Sequence, residues 1–210
     1  MTRAIERIVV IGASGATGRR LVDGALARGH EVHAVVRNPE TYSHTTHARL
    51  TVHRGDVRDP ASIAAVITPE SGVVSGLGAR SKADAGVLTA GARAVLAAHP
   101  FAVVWLGAIG TGRSATAVGR LTHRLLKAGF GAEYDDKVSA DSLVQDAGHS
   151  VVHSGPLNDK PEKGLHAIPL ALVRHQFFPS FVSRADVARI MLDEVESLAH
   201  RGSILIPQRA

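Results

Sequence analysis

The amino-acid sequence predicts an α/β fold in which helices cover both faces of a doubly wound parallel sheet. Strand-like apolar runs alternate with amphipathic helix patterns along the chain, and a glycine-rich turn joins the first strand to the first helix. No linker-like stretch divides the 210 residues, so we expect one domain over residues 1–210 with one sizeable core. Residues 156–179 lack clear periodicity, and we expect them to form a small cap over a substrate pocket.

The first β-α-β unit follows from the residue pattern. An apolar run at residues 8–11 predicts a buried strand. Residues 16–28 carry apolar positions at helical spacing up to Gly29, where a C-cap glycine is expected. Residues 31–36 predict the second strand, and the unit has the size expected for a nucleotide-binding element.

The turn between the first strand and the first helix has glycine at positions 12, 15 and 18. A strand that ends at such a turn and continues as a helix directs backbone N–H groups and the positive end of the helix dipole at one point, which suits a pyrophosphate. Gly12 permits the turn, Gly15 allows close approach of the ligand, and Gly18 lets the helix pack against the sheet. The predicted pyrophosphate contacts are Gly12, Ser14, Gly15, Ala16, Thr17 and Gly18. The sequence therefore predicts a Rossmann-like dinucleotide-binding domain.

The end of the second strand indicates which dinucleotide is bound. A carboxylate about 20 residues after the glycines would bind the ribose 2′-hydroxyl of NAD, but this strand ends in a basic residue, Arg37. A guanidinium can form a bidentate pair with a 2′-phosphate, so Arg37 favours NADP(H) as the cofactor. The alternative is a solvated arginine at a strand end.

The rest of the chain continues the alternation of strands and helices. Further strands are predicted at residues 49–53, 72–76, 101–106, 149–153 and 203–206, and further helices at residues 60–67, 83–98, 116–127, 132–146 and 184–198. Because such alternation builds a parallel sheet with right-handed crossovers, we expect the ligand crevice at the carboxyl ends of the strands.

Composition argues against several function classes. The chain has no Cys, which leaves no disulfide or thiolate chemistry, and no apolar run approaches membrane-spanning length. The formal net charge is +5, but the basic residues are dispersed and aromatic residues make up only 4% of the chain, so nucleic-acid binding is not predicted. The first strand begins by Ile5, which leaves no room for a signal peptide, and we expect a cytoplasmic protein.

The 12 histidines raise the question of a metal site. His44 and His47 form the closest pair, but they lie in a polar loop without a Cys or carboxylate partner. We therefore predict solvated histidines and no metal.

These motifs together resemble the atypical short-chain dehydrogenase/reductases of the NAD(P)H-binding, NmrA-like group, which includes the flavin reductase/biliverdin reductase B type. Besides the glycine turn and Arg37, the resemblance rests on residues 54–59 (RGDVRD), 134–141 (YDDKVSAD) and 183–188 (SRADVA), and it covers nearly the whole chain. It implies that Asp56 and Val57 flank the adenine. It also implies that residues 75–79 lie beside the cofactor ribose. The contacts expected beyond the glycine turn are Arg37, Asp56, Val57, Gly76, Leu77, Gly78, Gly107, Ala108, Lys137 and Pro156.

The chain departs from this group at residues that bear on catalysis. Relatives often have a Ser-Ser pair after the fifth strand, whose hydroxyl polarises a substrate carbonyl, where this chain has Gly107 and Ala108. Tyr134 and Lys137 are three residues apart, not four as in the Tyr-x-x-x-Lys motif of the larger group. A pair at this spacing still shares one helix face, so Tyr134 is a candidate proton donor with Lys137 holding the ribose or lowering the pKa of the phenol. The alternative is an exposed tyrosine in a charged first turn.

A second departure adds two more candidates. Where relatives have Arg-Pro-Gly, residues 153–156 read HSGP. The proton-donor candidates are therefore Tyr134, Lys137, His153 and Ser154.

The function we predict is an NADPH-dependent reductase that transfers hydride to a small conjugated or aromatic acceptor, such as a flavin or a quinone. Such acceptors take their proton from solvent and tolerate the loss of the serine and the tyrosine motif. Two alternatives stay open: a non-catalytic NADP(H)-sensing regulator, and a biosynthetic tailoring enzyme with a concealed redox step. A sensor needs a partner surface, and we expect no extended exposed apolar stripe. We expect a small-molecule substrate, no nucleic-acid or membrane partner, and a monomer or homodimer.

Overall fold

An eight-stranded sheet forms the centre of the computed structural model, which describes residues 5–79, 84–131, 133–175 and 177–209. The strands are β1 (Arg7–Ile11), β2 (Glu31–Val36), β3 (Leu50–Arg54), β4 (Gly72–Ser75), β5 (Ala102–Ala108), β6 (Ser150–Ser154), β8 (His166–Pro169) and β10 (Ile204–Gln208). Their order is β3-β2-β1-β4-β5-β6-β10-β8, with β8 antiparallel to β10 and the other neighbours parallel. A separate two-stranded sheet joins β7 (Leu157–Asn158) to β9 (Val182–Ser183).

Helices cover both faces of the large sheet. They are α1 (Ala16–Ala27), α2 (Pro60–Ala64), α3 (Val87–Ala97), α4 (Arg120–Phe130), α5 (Glu133–Asp146) and α6 (Arg184–Ser197). Leu21 of α1 and Met191 of α6 share one core cluster with Val10, whereas Val95 of α3 shares the opposite cluster with Val9. Since neighbouring residues of a strand point to opposite faces, β1 is buried on both sides. The predicted doubly wound α/β fold is confirmed. Nowhere in the described ranges is there a helix of the length and apolarity needed to cross a membrane.

The order in which successive strands join the sheet reverses at β1. This strand pairs with β2 on one side and β4 on the other, with Ile11 opposite Val35 and Ser75. Chain segments that leave β1 and β4 at their carboxyl ends therefore diverge to opposite faces and leave a crevice between them.

Several element boundaries differ from the sequence prediction. Helix α2 is shorter than residues 60–67, because hydrogen bonds from Val66 and Ile67 converge on the carbonyl of Ile63 and close a turn there. Helix α4 starts later than residue 116, because a 3₁₀ turn (Gly112–Ala117) precedes its N-cap residue Gly119. Strand β5 continues to Ala108. The helix starts predicted at residues 83 and 132 lie outside the described residues.

The segment 156–179, which the sequence predicts to be a cap, contains regular secondary structure. It contains β7, β8 and a 3₁₀ turn (Leu170–Leu172), and β8 extends the main sheet with Ile168 opposite Ile206. The sequence pattern missed β8 because it is a four-residue edge strand that ends in Pro169, and proline is tolerated only at such edges. Three residues of the segment, Pro156, Leu157 and Pro179, line the main cleft.

A buried carboxylate ties this segment to helix α6. Asp186 is 0% exposed and accepts hydrogen bonds from the backbone N–H groups of Lys163 and Leu165 at 2.9 and 3.1 Å and from the Ser183 hydroxyl at 2.8 Å. Burial alone would raise the pKa of Asp186, but these bonds and the Arg189 guanidinium outweigh it and hold the pKa below its ordinary value. Ser183 in turn caps α6 by accepting from the Asp186 N–H at 3.0 Å.

Candidate functional site

A cleft of about 570 Å³ lies at the carboxyl ends of the parallel strands. The loops after β1, β3 and β4 form one half of its wall, and the ends of β5 and β6 with parts of α4 and α5 form the other. This is the crevice that a doubly wound sheet leaves at its switch point, and its volume is in the range of small-molecule sites.

The glycine turn after β1 forms the floor of the first half. Gly12 has φ = +74°, and a Cβ there would lie 3.0 Å from Cα of Leu77 in the neighbouring loop. Gly15 is the N-cap residue of α1 and donates its N–H to the carbonyl of Gly12 at 3.0 Å. Because Gly15 has no side chain and no acidic residue lies in the first turn of α1, the positive end of this helix faces the cleft.

The predicted pyrophosphate contacts are brought together with one exception. Those that line the cleft are Gly12, Ser14, Gly15, Ala16 and Thr17. Gly18 lies beneath the turn instead, where a Cβ would overlap the carbonyl oxygen of Gly12. Its role is the close packing of helix on strand, which the sequence also predicted.

Two guanidinium groups mark one end of this half. Arg37 follows β2, its side chain is 58% exposed, and its Nη1 lies 4.0 Å from Oδ1 of Asp84. Arg58 also lines the cleft and donates from Nη2 to the carbonyl of Ala85 at 3.2 Å. The sequence prediction missed Arg58, although it belongs to the motif at residues 54–59.

The Gly-Asp segment lies beside these arginines. Asp56 and Val57, which the resemblance implies flank the adenine, both line the cleft. Oδ1 of Asp56 accepts from the backbone N–H of Arg58 at 2.9 Å, and the backbone N–H of Asp56 donates to the Ser62 hydroxyl at 3.0 Å. The loop is therefore fixed by its own side chains, and Gly76, Leu77 and Gly78 face it across the cleft.

The second half of the cleft is largely apolar. Its wall contains Gly107, Ala108, Ser154 and Pro156 from the ends of β5 and β6, and Leu126, Phe130, Lys137, Leu157, Pro179 and Arg184 from the surrounding elements. Nζ of Lys137 lies 5.2 Å from the ring centroid of Phe130 and 4.0 Å from Oε2 of Glu133. The Ser154 hydroxyl donates to the carbonyl of Gly155 at 2.9 Å. Arg184, which pairs with Asp159 at 2.9 Å, was not predicted, although it lies in the motif at residues 183–188.

Two of the four predicted proton donors are not in this wall. Tyr134 is 8% exposed, and its hydroxyl is hydrogen-bonded to Nε2 of His123 at 2.9 Å, away from the residues that line the cleft. His153 is 1% exposed and lies behind Gly107. We therefore correct these two assignments, because neither side chain reaches the cleft. Lys137 and Ser154 do line it.

His153 belongs to a buried polar cluster between β6 and α5. Its Nδ1 lies 2.6 Å from the Ser114 hydroxyl, and its Nε2 lies 3.0 Å from Oδ2 of Asp141, without the alignment of a regular hydrogen bond. A Cβ on Gly107 would lie 2.6 Å from Cδ2 of this imidazole and 2.9 Å from Oδ1 of Asp141. The His153 ring thus fills the volume that a side chain at position 107 would need, so the serine that relatives have there would clash with this ring.

No group of three or more His, Cys, Asp and Glu side chains that could hold a metal ion occurs in the described part of the chain. The polar groups that face the cleft are suited to a different ligand. A glycine cradle at a helix N-terminus and two arginines at one end fit a dinucleotide with its phosphates.

The model of the NAD(P)H-binding family matches residues 12–197. The chain belongs to this family. The expected resemblance to NAD(P)H-binding proteins is confirmed, and with it a nicotinamide cofactor. No curated protein matches the sequence significantly.

Solved structures share the fold at low sequence identity. ChuY, an anaerobilin reductase from Escherichia coli O157:H7, is 23% identical with a TM-score of 0.78, and 97% of each chain is covered. A short-chain dehydrogenase/reductase from Veillonella parvula, solved in complex with NADP, is 15% identical with a TM-score of 0.78, covering 97% of this chain and 94% of that one. The oxidoreductase YlbE from Lactococcus lactis is 15% identical with a TM-score of 0.78, covering 97% and 91%.

Proposed function

We propose that the protein is an NADPH-dependent reductase that transfers hydride to a small conjugated or aromatic acceptor. The observation that carries this proposal is the composition of the second half of the cleft. Gly107 and Ala108 offer no hydroxyl at the strand end, and the one serine hydroxyl in the wall, that of Ser154, donates to a neighbouring carbonyl. Such a wall can hold a flat apolar acceptor, but its strand ends offer no available hydroxyl to donate to the alkoxide that ketone reduction develops.

Cofactor choice rests on the two arginines. Arg37 and Arg58 line the same end of the cleft, where a 2′-phosphate would form charge-assisted hydrogen bonds with a guanidinium. Asp84 lies 4.0 Å from Arg37 and is the one carboxylate that competes for this arginine among the residues described. We infer a preference for NADPH over NADH, and the NADP complex of the Veillonella parvula neighbour is consistent with this preference.

The chemistry divides between the cofactor and the chain. The bound cofactor supplies the hydride. Gly107 and Ala108 leave a flat surface at the strand end, and Leu126 and Phe130 exclude water from the acceptor side. Lys137 places a positive charge beside that site. A conjugated acceptor spreads the incoming negative charge over its own π-system and takes its proton from water, so no protein acid is required.

A panel of acceptors tests the proposal. Purified protein is incubated with NADPH and either FMN, a benzoquinone, biliverdin or a simple ketone, and oxidation is followed by the near-ultraviolet absorbance of NADPH. We expect turnover with at least one conjugated acceptor, and ketone rates lower by about 10²-fold or more. The Gly15→Val variant is the control for NADPH oxidation that does not depend on the cofactor site. Ketone rates equal to those of the conjugated acceptors would refute the assignment of the acceptor class.

A non-catalytic NADP(H) sensor is the second candidate, because one observation favours it. The chain has an exposed apolar surface of the kind a regulator needs, formed by Leu121, Leu125, Leu172, Phe177, Phe178 and Phe181. In this respect the sequence expectation of no such surface was wrong. Saturable NADPH binding without oxidation by any acceptor of the panel would support the sensor and overturn the reductase.

A further inference from the structure

Helix α4 and the loop before β9 expose an unusual number of large apolar side chains. We call this the α4–loop surface, and it consists of Leu121, Leu125, Leu172, Phe177, Phe178 and Phe181. Each of the six is between 57% and 73% exposed. Thr122 is the one buried residue of α4, so most of this helix is uncovered.

The helix and the loop form one continuous surface. The Thr122 hydroxyl donates to the backbone carbonyl of Phe177 at 2.5 Å, and the rings of Phe177 and Phe178 meet edge to face with centroids 5.0 Å apart. A small core cluster below them includes Leu126 of α4 together with Leu170 and Val173 of the loop. Helix α4 and the loop are therefore connected by a hydrogen bond and by a shared apolar cluster.

The same surface is positively charged. Residues 120–130 and 170–181 contain no Asp or Glu, and their cations are Arg120, Arg124, Lys127 and Arg174, with His123 and His175 beside them. All four Arg and Lys residues are exposed, and within the described ranges the three arginines form no ion pair. Of the nearest acidic residues in sequence, Glu133 faces Lys137, Asp135 is exposed on α5, and Asp136 accepts from N–H groups in the first turn of α3.

Charge decides between the possible occupants. A second copy of the chain would place cations opposite cations across a two-fold interface, which disfavours self-association. An anionic surface is complementary instead. A short helix that alternates leucine with arginine and lysine, beside a loop with three exposed phenylalanines, has the composition of an element that lies in the headgroup region of a bilayer.

We propose that the α4–loop surface binds peripherally to an anionic lipid membrane. Leu126 and Phe130 of α4 and Pro179 of the loop also line the cleft, so bound lipid would lie beside the cleft mouth. If the proposed function holds, an apolar quinone dissolved in the membrane would reach the site without crossing water. Membrane binding itself does not depend on turnover.

Co-sedimentation with vesicles tests the proposal. The full chain is mixed with vesicles of phosphatidylcholine alone or with phosphatidylglycerol added, and the bound fraction is measured at low and high salt. We expect binding to the anionic vesicles only, weakened by salt. Arg120→Glu with Arg124→Glu should raise the lipid concentration for half-binding by roughly tenfold or more. Leu125→Ser with Phe178→Ser should also weaken vesicle binding, because it removes apolar surface that would enter the bilayer. Both side chains are exposed, so the core packing stays intact.

The matched control reverses two charges at the opposite end of the sheet. Arg49 precedes β3 and Arg201 precedes β10, both at the amino ends of the strands and both exposed. Arg49→Glu with Arg201→Glu changes the net charge equally and should leave binding within about twofold. Equal loss in this control, no binding to anionic vesicles, or a lipid-independent dimer that the surface variants abolish would each overturn the proposal. NADPH oxidation with a soluble acceptor is measured on the same samples, so failure of the membrane proposal is distinguished from failure of the reductase assignment.

Discussion

The contact between Gly107 and His153 predicts what a side chain at position 107 will do. An added Cβ would lie 2.6 Å from Cδ2 and 2.8 Å from Nε2 of the imidazole, whereas nonbonded carbon atoms normally stay about 3.5–4.0 Å apart. The ring is 1% exposed and lies between Ser114 and Asp141, so it has no solvent to move into. Gly107→Ser should therefore lower the free energy of unfolding by about 1–3 kcal/mol, the usual cost of overpacking.

A second glycine in the same cleft provides the control. A Cβ on Gly78 would have no heavy atom within 4 Å, and the backbone there does not have a positive φ. Gly78→Ser should change stability by no more than about 0.5 kcal/mol. Urea unfolding followed by circular dichroism measures both variants. An equal effect of the two substitutions would show that the His153 contact is not the cause.

A double-mutant cycle makes the test specific for this pair. His153→Ala alone removes the neighbour of the buried Asp141 and should cost about 1–3 kcal/mol. In the double variant, Gly107→Ser with His153→Ala, the serine side chain occupies the vacated volume next to Asp141. The double variant should then be more stable than the sum of the single effects by about 1–2 kcal/mol. Strict additivity would refute the steric argument.

Three further predictions concern the cofactor site and the buried carboxylate of Asp186. Arg37→Ala should weaken NADPH binding by roughly tenfold to a hundredfold, nearer the lower value because the side chain is 58% exposed, and should leave NADH binding nearly unchanged. Isothermal titration of both cofactors measures this. An equal loss of affinity for both cofactors would contradict it. Gly15→Val should abolish cofactor binding while circular dichroism stays unchanged, since Gly15 lines the cleft at the N-terminus of α1 and a branched side chain would fill the space where the pyrophosphate is expected; retained affinity would place the cofactor elsewhere. The pKa of Asp186 in the folded protein lies below its ordinary value of 3.8. The ionised carboxylate therefore contributes fully to stability above the ordinary, unfolded-state pKa, and this contribution is lost as pH falls through the lowered folded-state pKa. Asp186→Asn should thus be less stable at neutral pH and lose less stability on acidification below about pH 4 in urea unfolding; parallel acid profiles for the variant and the parent chain would contradict this.

The parts of the account that the sequence predicted depend on neighbours in the chain. The glycine turn, the position of Arg37 and the Gly-Asp segment are local patterns, and the parallel topology then brings them to one end of the sheet. Arg58 was not predicted, because nothing in its own motif distinguishes an arginine that lines the cleft from a solvated one.

The parts that the sequence did not predict depend on contacts between distant elements. The Tyr134 hydroxyl is hydrogen-bonded to His123 on another helix and does not line the cleft, and buried His153 lies between Asp141 of α5 and Ser114 of a 3₁₀ turn. Strand β8 forms through its pairing with β10 at the sheet edge. Helix α4 has a single buried residue, and the spacing of its apolar residues in the sequence does not show whether another element covers them.

A crystal structure of the protein with NADP tests the central claim most directly. We expect the pyrophosphate at the N-terminus of α1, the 2′-phosphate at Arg37 and Arg58, and the nicotinamide ring at Gly107 and Ala108 with its open face toward Leu126 and Phe130. A nicotinamide ring bound away from these strand ends, or a 2′-phosphate without a guanidinium contact, would contradict it.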